Sequence, residues 1–166
     1  MEPWRRLDTA AVDEARALLQ QCCGSREWVE RMSARRPFGS RDAMLQAARD
    51  EWLSLTPEDW LEAFSHHPRI GDRESRRRRF ATTAHLAERE QAGVEHATAD
   101  VLSALASRND SYERKFGFIF IVCATGKTAD EMLRLLERRL PHSQDVELRV
   151  AAEEQAKITE LRLLAI

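Results

Sequence analysis

Hydrophobic residues recur every three or four positions along most of the chain, which is the repeat of an α-helix with one buried face. The spacing predicts a first helix that contains Val12 and Leu19. Asp8 or Thr9 can cap its start, and Gly24 ends it. The chain therefore begins with an amphipathic helix.

Capping signals place the starts of the following helices. Ser25 and Ser40 each precede a helical segment. Thr56, followed by Pro57 and two acidic residues, is the clearest helix start in the sequence. Thr128 opens a later helix that ends before a proline at position 141. One long helix or two abutting helices are predicted at about 98–117. A final helix is predicted at about 143–164, with the apolar stripe Val146, Val150, Ile158, Leu161 and Ala165.

One apolar run, FGFIFIVCATG at residues 116–126, departs from the helical pattern. Its β-branched and aromatic residues suit a buried strand, but the sequence offers no second strand to pair with it. A buried helix or an extended segment is therefore favoured. Because no linker or repeat divides the chain, the pattern predicts an all-α protein with about eight helices in one compact domain, residues 1–166.

Composition narrows the class of protein. Only 6 glycines and 5 prolines interrupt 166 residues, as expected of a helix-rich chain. The net charge of -2 disfavours binding to nucleic acid. No apolar run approaches the roughly 18 residues of a membrane span, and charges interrupt the N-terminal segment where a signal peptide would be apolar. Three cysteines without a CxxC pair fit a reducing, cytoplasmic setting.

Several sequence features resemble known binding motifs but do not support a binding site. The sequence TGKT at 125–128 resembles the end of a phosphate-binding loop, but Ile121 stands where that loop needs glycine. The four arginines at 76–79 are interpreted as a solvated face, because arginine is abundant throughout the chain. No HExxH or paired CxxC spacing occurs, so we expect no metal site.

Three sites in the sequence carry candidate chemistry, and each has a second interpretation. His67 lies where Pro68 ends a helix, and an imidazole with an ordinary pKa of about 6.5 suits proton transfer; alternatively it interacts with the last helical carbonyls. Glu90 and Gln91 stand near a helix end, either as a surface pair or as part of a site. Arg162 borders an apolar stripe, so it can extend to solvent or hold an anion in a pocket.

Taken together, the segments around these positions resemble one known family. The motifs occur in the order HPRIGD (67–72), EQAG (90–93), FGFIFIVCATG (116–126) and Lys157-Ile158 followed by Arg162, with WVERMSARRPF and DWLEAFSHHP upstream. This order resembles the 2-oxo-4-hydroxy-4-carboxy-5-ureidoimidazoline (OHCU) decarboxylase family over nearly the whole chain. The resemblance implies an all-helical carboxy-lyase without a cofactor, commonly a homodimer, that converts OHCU to (S)-allantoin in urate degradation.

The resemblance also implies roles for individual residues. His67 and Glu90 match the family's catalytic pair, and Arg162 matches its late substrate-binding arginine. Further substrate contacts fall on Pro68, Ala87, Gln91, Phe120, Ile121, Val122, Cys123 and Ala124. The family usually has a Trp-Ser pair where this chain has Leu86-Ala87. A hydroxyl contact is therefore missing there, although the backbone of Ala87 can still contact the substrate.

Two other functions remain open. The chain can be a helical binding module without activity, in which case the candidate residues would not converge on one pocket. It can also be a decarboxylase of a different small heterocyclic carboxylate, which the Leu86-Ala87 departure permits.

Overall fold

The computed structural model describes residues 1–68 and 98–166. Within these two ranges the chain forms eight α-helices and no strand, which confirms the predicted all-α class. The helices are α1 Pro3–Thr9, α2 Val12–Cys22, α3 Arg26–Ala34, α4 Arg41–Leu53, α5 Pro57–Ser65, α6 Ala99–Phe116, α7 Ala129–Arg139 and α8 Gln144–Leu163.

The chain divides into two compact units. The first unit comprises residues 1–63 and 155–166, and the second comprises residues 64–154. Trp28, Trp52, Leu19 and Met44 are among the fully buried side chains of the first unit. Phe64, Tyr112, Met132 and Leu136 are among those of the second. That residues 1–166 form a single domain stays a prediction.

The predicted caps are confirmed at the starts of most helices. Thr56 and Asp59 form a reciprocal pair, in which the Asp59 N–H donates to Thr56 Oγ1 at 3.3 Å and the Thr56 N–H donates to Asp59 Oδ2 at 3.2 Å. The hydroxyls of three other predicted caps accept a backbone N–H three positions along: Ser25, Ser40 and Thr128. Thr98, which was not predicted as a cap, does the same at the start of α6. Local sequence therefore determines where these helices begin.

The predicted capping role of Asp8 or Thr9 is wrong. Both residues belong to α1, a short helix that the hydrophobic pattern missed. The Asp8 carboxylate accepts the backbone N–H groups of Phe38 and Gly39 at 2.8 and 2.9 Å, and Thr9 Oγ1 donates to a carbonyl within α1 at 2.8 Å. Helix α2 begins without a side-chain cap, and Val12 at its start is 52% exposed.

The apolar stripe predicted for α8 is also wrong in part. Ile158 is buried as expected, but Val146 and Leu161 are 47% and 40% exposed and Ala165 is exposed too. The buried face of this helix includes four polar side chains: Glu147, Gln155, Thr159 and Arg162. The apolar residues of α8 therefore do not mark its buried face, because buried polar residues occupy part of that face.

Beyond Phe116, which ends helix α6, the apolar run at 116–126 is neither a helix nor a strand. Helix α6 ends at Phe116, and Gly117 adopts a left-handed conformation with φ of 80°, which glycine tolerates without strain. Residues 120–124, here named the buried segment, are all less than 9% exposed. Tyr112 of α6 packs against Phe118 and Phe120, with ring centroids 5.8 and 5.3 Å apart. A buried helix is thus excluded for this run.

None of the helices in the described part of the chain combines the length and the apolar character needed to cross a lipid bilayer.

Candidate active site

His67 lies on a fixed turn directly after α5. Its backbone N–H donates to the Phe64 carbonyl at 3.1 Å, and the Phe64 ring packs against Phe118 with 5.4 Å between centroids. The residue is only 8% exposed, and Pro68 after it is also buried. By contrast, the neighbouring His66 is exposed. Of these two adjacent histidines, one is therefore buried and the other is exposed.

Three charged side chains hold the backbone of the buried segment. Arg139 Nη1 donates to the Ile121 carbonyl at 2.6 Å. Lys127 Nζ donates to the Cys123 carbonyl at 2.7 Å, and the Cys123 N–H donates to Glu154 Oε1 at 3.2 Å. Because each bond involves a charged group, it is stronger than a bond between neutral partners. The conformation of the segment is therefore fixed from outside it.

Other main-chain groups of the buried segment are free to bind a ligand. Among the described residues, the N–H groups of Ile121, Val122 and Ala124 have no hydrogen-bond partner. Buried N–H groups in folded proteins are almost always paired with protein, water or ligand. These three donors can therefore hold polar atoms of a small molecule.

Arg162 lies on the buried face of α8 in the first unit and is 6% exposed. Burial raises the pKa of the neighbouring Cys23 thiol to about 12, against opposing effects from a backbone hydrogen bond with Ser25 and from the positive charge of Arg162. The nearby Thr159 hydroxyl accepts Gln155 Nε2 at 3.0 Å. The interpretation that Arg162 extends into solvent is therefore wrong.

Part of the predicted site falls within one of the two units. His67 and the buried segment belong to the second unit, where the contact between Phe64 and Phe118 joins the end of α5 to the residues just before the segment. Arg162 belongs to the first unit. Glu90, Gln91 and Ala87 lie outside the described residues, and the functional roles of all these positions stay predictions.

A buried polar cluster next to the segment was missed by the sequence analysis. Glu147 accepts hydrogen bonds from Tyr112 Oη at 2.5 Å and from Arg139 Nε at 2.6 Å, and its second oxygen lies 3.0 Å from His142 Nδ1. Burial and the bond to Glu147 raise the pKa of Tyr112 above its usual range, so the phenol remains a donor. Arg139 follows Leu136 by three residues on the buried face of α7. A charged residue at the helical spacing of the buried apolar residues was therefore the one sign in the sequence that Arg139 is buried.

In residues 1–68 and 98–166, no group of three or more His, Cys, Asp or Glu side chains is arranged to hold a metal ion.

Comparison with known proteins identifies the family. The OHCU decarboxylase family model matches residues 8–164. The uric acid degradation bifunctional protein TTL of Arabidopsis thaliana is 43% identical over 143 residues, which cover 86% of this chain and 44% of that protein. The OHCU decarboxylase of Haloferax volcanii is 31% identical over 137 residues, which cover 82% of this chain and 79% of that protein. This chain therefore spans less than half of the Arabidopsis protein.

Solved structures agree with the sequence matches. A crystal structure of OHCU decarboxylase in the presence of (S)-allantoin has a TM-score of 0.74 and 41% identity, covering 87% of this chain and 92% of that chain. A crystal structure of (S)-allantoin synthase has a TM-score of 0.71 at 20% identity, covering 98% and 53%, and supports the fold alone. With the family model matching nearly the full length, the chain belongs to the OHCU decarboxylase family.

Proposed function

We propose that this chain is a carboxy-lyase that decarboxylates OHCU to (S)-allantoin in urate degradation. The observation that carries the proposal is the family match over residues 8–164, a range that includes both the buried His67 and the buried segment. The departure at Leu86-Ala87 lies within this range and affects how the substrate is held.

The reaction needs no electron sink from a cofactor. The bond between the carboxyl carbon and the ring breaks, CO2 leaves, and the electron pair stays on the ring, where the substrate's own heterocycle delocalises it. A proton then bonds to this electron pair, at or beside the reacting carbon, and completes the reaction. The protein must therefore orient the substrate, exclude water from the departing carboxylate and deliver the proton to one face.

His67 is the proposed proton donor. Its burial at the end of α5 keeps bulk water from competing for the proton, and its backbone bond to Phe64 fixes the turn that carries the imidazole. Glu90, as the family resemblance implies, sets the orientation and protonation state of His67 through a hydrogen bond to it or to the substrate. Delivery of the proton to one face of the substrate would give a single enantiomer of allantoin.

Main-chain donors and one arginine are the proposed substrate holders. The unpartnered N–H groups of Val122 and Ala124 suit the oxygens of a ureido group or ring carbonyl. As the family resemblance implies, Arg162, whose side chain is buried, is the proposed partner of the substrate's negative charge. Gln91 and the backbones of Pro68 and Ala87 supply the further contacts that the resemblance implies.

Two adjacent histidines provide the test. Freshly made OHCU is supplied to the wild type, to His67→Asn and to His66→Asn, and the optical rotation of the product is followed. The wild type and His66→Asn should speed the appearance of (S)-allantoin equally, because His66 is exposed. His67→Asn should be slower by about 100- to 10,000-fold, which is the usual contribution of general acid–base catalysis.

The possible failures are distinct. A wild type that does not exceed the spontaneous reaction overturns the proposed function; binding of (S)-allantoin without turnover would then favour the binding module, and turnover of another heterocyclic carboxylate would favour a different substrate. An active wild type with an equally active His67→Asn overturns only the role of His67.

Assembly and location are part of the proposal as well. We infer a homodimer in the cytoplasm, in keeping with the family resemblance and with cysteines that are all free and buried. Light scattering should give twice the monomer mass, and a monomeric mass would refute the dimer.

A further inference from the structure

Arg139 joins the polar cluster to the buried segment. Its guanidinium donates to Glu147 through Nε, contacts the same carboxylate through Nη2, and donates to the Ile121 carbonyl through Nη1. The group also lies 4.4 Å from the centroid of the Phe120 ring. Arg139 is 6% exposed and Glu147 is 0% exposed, so the two residues form a buried ion pair. A single side chain therefore links α7 and α8 to the segment.

The hydrogen bond to Ile121 has a consequence one residue further on. A trans peptide is planar, so its carbonyl and the following N–H lie in one plane and point in opposite directions. Fixing the Ile121 carbonyl on Arg139 therefore fixes the Val122 N–H on the side away from the guanidinium. That N–H is one of the donors without a partner among the described residues.

The cluster leaves Arg139 little freedom to turn. Tyr112 and His142 both contact Glu147, at 2.5 Å and 3.0 Å, so the carboxylate that holds the arginine is itself held. Tyr112 Oη also accepts a longer hydrogen bond from Arg139 Nη2 at 3.5 Å. A lysine could not replace this arrangement, because one ammonium cannot match the two-sided contacts of a planar guanidinium.

We propose that Arg139 is a positioning residue for substrate binding: by holding the Ile121 carbonyl, it aims the Val122 N–H at the substrate. The inference rests on the proposed function, since the ligand of that N–H is taken to be OHCU or (S)-allantoin. Arg139 itself does not contact the substrate. It acts through the peptide between Ile121 and Val122.

The kinetic test compares two neighbouring arginines. Arg139→Lys should raise both the KM for OHCU and the inhibition constant of (S)-allantoin by about 10-fold, near the upper value for one hydrogen bond between neutral groups, while kcat changes by less than about 3-fold. Arg138→Lys is the matched control, because Arg138 is exposed on the same helix turn, and both constants should stay unchanged.

A stability control separates positioning from general loosening. Leu136→Ala removes buried apolar volume from α7 but no donor to the Ile121 carbonyl, so its Tm should fall while its inhibition constant for (S)-allantoin stays at the wild-type value. If Leu136→Ala and Arg139→Lys weaken allantoin binding alike, Arg139 is merely structural and the inference is overturned.

A second measurement uses the unmodified protein, so it does not depend on any variant folding. In NMR spectra, (S)-allantoin should shift the amide signal of Val122 more than that of Cys123, whose N–H is bonded to Glu154. The reverse order would overturn the inference. An inactive wild type would refute the proposed function, whereas an active wild type with an unimpaired Arg139→Lys would refute only the role of Arg139.

Discussion

The ammonium of Lys127 donates a hydrogen bond to the Cys123 carbonyl at 2.7 Å, only four residues back along the chain. The same residue's backbone N–H donates to the Ala124 carbonyl at 3.0 Å, so a tight turn closes the buried segment. Because a peptide is planar, holding the Cys123 carbonyl also orients the N–H of Ala124. Lys127, which resembled part of a phosphate-binding loop in the sequence, instead secures the end of the proposed substrate-binding backbone.

Removing this contact should weaken substrate binding. In Lys127→Met the side chain keeps most of its length but loses the donor, so the Ala124 N–H is no longer fixed. We expect the KM for OHCU to rise by about 3- to 10-fold, as for loss of one hydrogen bond between the Ala124 N–H and a neutral substrate oxygen, with kcat nearly unchanged. Steady-state kinetics at matched protein concentration provide the measurement.

Arg134→Met is the control for Lys127→Met. It removes one positive charge from an exposed position on α7 and should leave KM unchanged. Equal increases in KM for the two variants would mean that net charge, and not the contact with Cys123, determines affinity.

The buried carboxylate of Glu147 should matter far more to stability than an exposed one. Glu147→Gln leaves the Arg139 charge without its counter-ion at 6% exposure, and breaking a buried pair in this way costs about 3 kcal/mol or more. Glu137→Gln breaks a 3.6 Å surface pair with Arg108 and should cost less than about 0.5 kcal/mol. Urea unfolding of both variants measures the difference, and similar losses would contradict the importance of burial.

Stability should fall in alkaline solution, partly because of Cys23. Burial raises the pKa of its thiol from 9.0 to about 12, so the folded state keeps a proton that the unfolded chain releases between these pH values. The unfolded state then binds fewer protons, and the free energy of unfolding decreases by up to about 1.4 kcal/mol per pH unit across that window. Below pH 9.0 the contribution is fully present.

Cys23→Ala isolates this effect. The variant loses the titrating thiol, so the difference in unfolding free energy between wild type and variant should shrink as the pH rises above 9.0. Urea unfolding at several alkaline pH values tests it, and the raised pKa of Tyr112 contributes equally to both proteins. A difference that does not change with pH would show that Cys23 ionises alike in both states.

Helix starts were the most predictable part of the fold, because caps are local. Thr56, Thr98 and Thr128 each bond a backbone N–H within three residues, and the sequence alone shows that possibility. The buried face of α8 was less predictable. Whether a polar side chain such as Glu147 is buried depends on partners 35 residues away, here Tyr112, and no local pattern encodes that distance.

The candidate site also contains residues that the sequence could identify and residues that it could not. His67 could be singled out because Pro68 ends its helix, and its burial supports that choice. Arg139 could not, because its importance comes from a bond to Ile121, 18 residues away, in a segment whose path follows no regular repeat. The helical spacing of Arg139 with the apolar residues of α7 indicated that its side chain is buried, but it did not indicate which residue the side chain binds.

Asp8 supplies a final prediction, at the position where the sequence suggested the wrong role. Its carboxylate accepts two backbone N–H groups, from Phe38 and Gly39, in a partly buried setting. Asp8→Ala should therefore cost about 1.5 kcal/mol of unfolding free energy, because both donors lose a charged acceptor. Thr9→Ala should cost less than about 0.5 kcal/mol, since its hydroxyl only bonds back within α1 at an exposed position.

Asp8→Asn separates this bracing role from helix capping. Asparagine caps helices as well as aspartate does, so a cap on α2 would make Asp8→Asn nearly neutral. To bind the N–H groups of residues 38 and 39, both oxygens of the charged Asp8 carboxylate must accept a hydrogen bond. The side-chain amide of asparagine has only one acceptor oxygen. We therefore expect Asp8→Asn to lose about half as much stability as Asp8→Ala in urea unfolding. A neutral Asp8→Asn would restore capping as the function of this residue.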